Sequence, residues 1–242
     1  MNGLKKLTFL MATLAVLTFG VGTAFANLIT NGDFESGNTG FTSAYTYYDV
    51  PDVPDSSYNP PPGLYNEATY GVGIGAGLYH GSWTNFADHT TTGPGNMMIV
   101  NGSTDAGVNV WTSPVVANSI VVVPGTTYYF AAWLASVYPE LGEDPGAPAT
   151  LAFSINGSQI GTDFTLSAPV GTWELFYVSW EADGTGLANL SLINRNTIAG
   201  GNDFAIDDIS LDTRVPVPEP TTMLLLGLGL IGLARVSRKF RK

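Results

Sequence analysis

From Met97 onward, apolar residues recur at every second position in short runs broken by Gly, Pro, Asn and Asp, a pattern of half-buried strands separated by turns. The runs predict strands over Met97–Val100, Val108–Trp111, Ser119–Val123, Thr127–Val137, Thr150–Ile155, Thr172–Glu181, Leu187–Ile193 and Phe204–Leu211. Leu151, Phe153 and Ile155 alternate with Thr150, Ala152 and Ser154, and Ala188, Leu190 and Leu192 alternate with Asn189 and Ser191, as strands with one wet face require. Asn156-Gly157 marks a tight hairpin. Nothing between Asn27 and Val215 holds an apolar period of 3.6 over three turns, so the pattern predicts an all-β, antiparallel β-sandwich. Before Met97 the pattern loosens into a Pro- and Asp-rich stretch, Val50–Gly63, and a Gly-rich one, Gly71–Gly77. The latter lacks the Lys-Ser/Thr ending of a phosphate cradle and reads as flexible loop.

The two ends follow other rules. Lys5 and Lys6 precede an apolar run from Leu7 to Val21 that closes on Ala24-Phe25-Ala26, an A-x-A pattern that predicts a signal helix cut after Ala26 by signal peptidase. At the far end stand Val217, Pro218, Glu219 and Pro220, then an apolar run ending at Ala234, then Arg235, Arg238, Lys239, Arg241 and Lys242. Prolines 216, 218 and 220 keep the approach extended, and basic residues beyond an apolar helix stay on the cytoplasmic side. This order resembles the PEP-CTERM sorting signal. The resemblance implies an exosortase-type membrane peptidase as partner, transient insertion of a hydrophobic sorting helix through 221–234, and delivery to the cell surface or an extracellular polysaccharide matrix. A permanent C-terminal anchor is the alternative, although the run is short for a stable span and carries Gly227, Gly229 and Gly232. The chain thus divides into a signal peptide (1–26), one β-domain (27–213) and a sorting tail (214–242).

Once Lys5 and Lys6 leave with the signal and the five basic residues from Arg235 on leave with the tail, Arg195 and Arg214 are the only Lys or Arg left, against at most 20 acidic residues, for a net charge of about −18. Such a surface repels phosphate backbones and excludes nucleic acid as a partner. With no cysteine, disulfides, thiolate catalysis and cysteine metal sites are excluded too.

In the body of the chain, Val123-Pro124-Gly125-Thr126-Thr127-Tyr128, then Trp133, Thr172-Trp173-Glu174 and the closing Phe204-Ala205-Ile206-Asp207-Asp208-Ile209-Ser210-Leu211 resemble the jelly-roll carbohydrate-binding modules of the family 4 and 9 type, within the galactose-binding-domain-like fold. The opening Asn27–Glu35, followed by Gly40-Phe41, resembles the first strand of that group. The resemblance implies a non-catalytic domain that binds polysaccharide. It also implies a structural calcium ion held between the first and last strands, with Asp207 and Glu35 as the leading ligands and Asp33 and Asp208 beside them.

In the last strand, Phe204 and Ile206 share one parity and Ile209 and Leu211 the other, which predicts a bulge at Asp207-Asp208. A sugar site needs aromatic rings to stack on pyranose faces and a few polar groups to fix orientation. The candidates are Tyr45, Tyr47, Trp83, His89 and Tyr138, in or near irregular segments, with Tyr48, Tyr65 and Tyr79 in the same class; Trp133, Trp173 and Trp180 fall within predicted strands and read as core. The spacing of His80 and His89 matches no metal motif. No carboxylate pair or G-x-S-x-G context marks a catalytic residue. Two other readings stay open: a structural or adhesive biofilm-matrix protein with no sugar site, and a glycoside hydrolase. Aligned, exposed aromatics would favour sugar binding, and two carboxylates facing one cleft would favour hydrolysis.

Overall fold

A computed structural model describes residues 27–49, 63–90, 94–114, 120–138 and 147–216. The signal segment with Ala24 and Ala26, the motif residues Val217 to Pro220 and the sorting helix lie outside the described residues. Twelve strands run in order: β1 (Thr46–Tyr47), β2 (Thr69–Gly73), β3 (Met97–Asn101), β4 (Asn109–Thr112), β5 (Ile120–Val121), β6 (Thr127–Ser136), β7 (Thr150–Ile155), β8 (Ser158–Thr165), β9 (Glu174–Glu181), β10 (Leu187–Ala188), β11 (Leu190–Asn194) and β12 (Phe204–Asp212). One sheet has the order β1-β2-β3-β12-β6-β9 and faces a second of order β4-β11-β7-β8, while β5 and β10 form a short ribbon at one edge. The fold is a β-sandwich, as the sequence pattern predicts, and of the jelly-roll type that the resemblance implies. Apart from one 3-10 turn at Ala76–Leu78, the described residues form no helix, and none is long and apolar enough to cross a membrane.

The main core fills the space between the sheets. Phe130, Leu134, Phe204, Ile206 and Ile209 from the larger sheet meet Leu151, Phe153, Leu190 and Leu192 from the smaller one. Phe153 stacks between Phe130, at 4.2 Å between ring centroids, and Phe176, at 3.9 Å. Asn156 and Gly157 both take positive φ, 52° and 79°, which gives the β7–β8 hairpin the primed turn its sequence predicts.

Three departures from the sequence reading have local causes. Gly71–Gly73, read as loop, belongs to β2, because the ring of Tyr79 lies over the strand exactly where β-carbons at Gly71 and Gly73 would stand, and the Tyr79 hydroxyl donates to the Val72 carbonyl at 2.8 Å. β8 is an exposed edge strand whose mostly polar face carries little alternation. Ala152 and Ser154, expected on a wet face, are buried, since such short side chains sink between β8 and β11.

A second, smaller core lies on the outer face of the larger sheet. Leu64, Ala76, Tyr79 and Trp83, from the segment between 63 and 90, pack on Met97, Ile99 and Ala205. The segment therefore covers β2, β3 and part of β12, and its end reaches the edge of β6, where His89 lies on Trp133.

Candidate functional site

The edge of that covering segment, where it meets β6, is where polar groups gather. Along β6, Tyr128, Phe130, Ala132 and Leu134 point into the main core, so Tyr129, Ala131 and Trp133 point outward. On β12 the expected bulge is present: register with β6 shifts between Asp207 and Ser210, and Asp208 takes φ 47°. The shift leaves Asp207 outside the main core and lets Asp208 project at the surface.

Asp207 is 1% exposed, and its carboxylate accepts the backbone N–H of His89 (2.8 Å) and that of Asp208 (2.8 Å). Burial, reinforced by the charge of Asp208, pushes its carboxyl up to about 8. Asp208 in turn holds His89 Nδ1 at 2.6 Å and accepts weakly from the Thr90 hydroxyl at 3.4 Å. The His89 ring stacks on Trp133, centroids 3.8 Å apart and planes 20° from parallel, and meets Trp173 edge-on at 5.9 Å. A cavity of about 400 Å³ opens here, lined by Asp33, His89, Thr90, Trp133, Asp208 and Ser210 together with Asn27 and Asn31.

Beyond the cavity the outer face of β6 continues to Tyr129. Tyr177 on β9 stands opposite Ala131 in register, 47% exposed, with its ring 6.5 Å from that of Tyr129. From Trp133 to Tyr129 is about 13 Å of strand, room for a short oligosaccharide rather than one sugar.

The candidate residues are thus divided by the fold. His89, Asp33 and Asp208 line the cavity, with Asp207 beneath it. Tyr45 and Trp83 are corrections, being only 5% and 6% exposed. The Tyr45 hydroxyl accepts from Ser103 N–H at 3.0 Å, and Trp83 Nε1 donates to Asp203 at 3.1 Å. Tyr47 is exposed but packs beside Tyr70, away from the cavity lining, and Tyr138 lines a separate cavity of about 200 Å³. Trp133, read as core, is instead a wall of the cavity. Tyr129 and Tyr177 were missed, although their odd parity against Phe130 and Phe176 was the signal that pointed them outward.

The calcium set is not assembled as placed. Glu35 accepts the Asn96 N–H at 2.7 Å and does not line the cavity, whereas Asp33 and Asp208 do. Among the described residues no group of three or more His, Asp or Glu is disposed to hold a metal ion. The opening segment is also not a regular strand. Asn27 instead braces β12 by side chain, donating to Ile209 O at 2.9 Å and accepting from Leu211 N–H at 3.0 Å, while Gly32 O accepts from Ile209 N–H at 2.8 Å.

Residues 216–239 match the family model of the PEP-CTERM protein-sorting motif. The chain carries a PEP-CTERM sorting signal. That signal marks an exported protein sorted to the cell envelope. No curated protein sequence matches the chain. Among solved structures, the chain is similar to a family 16 carbohydrate-binding module (15% identity, 76% of this chain and 99% of that one, TM-score 0.41). It is also similar to the CBM22-1 xylan-binding domain of Paenibacillus barcinonensis Xyn10C (14%, 64% and 90%, TM-score 0.37). A third is a cyclase from Fischerella sp. TAU in complex with 4-(1H-indol-3-yl)butan-2-one (16%, 78% and 96%, TM-score 0.47). Likeness at this level carries no information about ligand or activity.

Proposed function

We propose that the protein is a non-catalytic carbohydrate binder of the cell surface or extracellular matrix, exported through its signal peptide and released from the inner membrane when an exosortase-type peptidase cuts the PEP-CTERM tail. The observation that carries the binding reading is Tyr177, exposed on the outer face of the larger sheet beside the half-buried Tyr129 and in line with Trp133, which walls a polar cavity. Exposed rings stack on pyranose faces, and the cavity's carboxylates and hydroxyls orient hydroxyl groups.

The test is a pull-down of the full chain, in a detergent without sugar headgroups, on a panel of insoluble and soluble polysaccharides. Saturable binding to one glycan class, lost in Tyr177→Ala, supports the reading. Absence of binding across the panel moves the protein to a structural role in the matrix. The calcium brace between the first and last strands is a separate proposal carried by the resemblance alone. Melting curves in calcium and in chelator decide it, and identical curves remove the ion.

A further inference from the structure

The cavity is lined by two carboxylates, Asp33 and Asp208, and by no Lys or Arg among the described residues. Its two amides are spent on the protein: Asn27 bonds Ile209 O and Leu211 N–H, and Asn31 donates to the carbonyls of Gly37 (2.9 Å) and Thr39 (2.7 Å) while accepting from Ser36 N–H (2.8 Å). The Thr90 hydroxyl and His89 Nδ1 are turned to Asp208. The carboxylates that face a ligand are Asp33 at the exposed mouth, whose Oδ1 receives only a 3.4 Å contact from Glu35 N–H, and the edge of Asp208, while the Ser210 hydroxyl can donate or accept.

Positive charge is scarce nearby. The two Lys or Arg residues of the described region are both paired elsewhere, Arg195 with Asp163 (3.6 Å) and Gln159 (2.5 Å) at the β8 edge of the smaller sheet, and Arg214 with Asp212 (2.9 Å). Neither lines the cavity.

Resting on the carbohydrate-binding reading, we propose that this site selects glycans bearing free amino groups, that is, de-N-acetylated hexosamine chains, over neutral ones and rejects uronates. An ammonium supplies three donors and a positive charge to Asp33 and Asp208. An acetamido group supplies one donor and no charge, and a uronate brings a third carboxylate into a site without a free cation.

Calorimetric titration of the full chain in sugar-free zwitterionic detergent, with a glucosamine oligomer, its N-acetylated counterpart and an oligogalacturonate, tests this. The glucosamine oligomer is expected to bind about tenfold tighter than the N-acetylated one. That margin should shrink with added salt, vanish when pH is raised until the amine is neutral, and vanish in Asp33→Asn, which leaves the fold intact. Equal affinity for the first two oligomers, or preference for the uronate, overturns the charge selection and leaves sugar binding standing. Failure to bind any of the three alongside binding to a neutral glucan also overturns it. Failure to bind any glycan overturns the carbohydrate reading as well.

Discussion

His89 lies flat on Trp133, 3.8 Å between ring centroids, while its Nδ1 is held 2.6 Å from the Asp208 carboxylate. One residue thereby ends the covering segment, walls the cavity and fixes the bulged carboxylate.

His89→Ala removes the ring but keeps the backbone N–H that bonds Asp207. It is expected to cost about 1–2 kcal/mol, a lost stacked contact plus a partly unpaired carboxylate. Chemical denaturation reads the loss, and glycan affinity should fall with it because Asp208 loses its fixed position.

The pH dependence of stability has a defined sign. Burial raises the carboxyls of Asp207, to about 8, and Asp203, to about 7. A carboxyl whose folded pKa is raised holds its proton longer in the native state, so its stabilisation is complete below the ordinary carboxylate range and is lost as pH rises towards 7 to 8. Asp183, Asp212 and His80 are displaced downward and oppose this, but Asp183 is exposed and the other two are only partly buried, so each weighs less. Melting temperature should therefore fall between about pH 4 and pH 8. Asp207→Asn, which mimics the protonated acid, should flatten that slope; an unchanged slope would remove Asp207 as its source.

Tyr129→Ala and Tyr177→Ala act at a surface rather than in a core. Each should weaken glycan binding about tenfold, ~1.4 kcal/mol, with a change in melting temperature of no more than about 2 °C. Loss of stability without loss of binding would show that the pair serves packing.

Gly71→Ala or Gly73→Ala places a methyl group against the ring of Tyr79. Displacing that ring breaks its hydrogen bond to Val72 O and lifts the covering segment, at an expected cost of about 1–3 kcal/mol. If the cavity depends on that segment, the same variants lose glycan affinity even though neither glycine lines it.

The alternation of apolar and polar residues determined the sandwich, because a strand buried on one face must repeat every second residue; β7 has the predicted bounds and β3, β6 and β12 differ by only a residue or so. The parity switch at Asp207-Asp208 located the bulge, and the order of Pro-Glu-Pro, apolar run and basic end located the sorting tail, since both are local patterns. Parity could tell which strand aromatics point outward, but not which aromatics are covered. Tyr45 and Trp83 sit in irregular sequence yet are buried, because Ser103 and Asp203, distant in the chain, satisfy their polar atoms. Trp133 and Tyr177 sit in regular strands, yet Trp133 walls the cavity with His89 against one face and Tyr177 is exposed, because among the described residues the covering segment reaches the first and not the second. Only the tertiary structure decides how far one segment extends over a sheet, since that depends on contacts between residues about 100 positions apart rather than on the repeat within either.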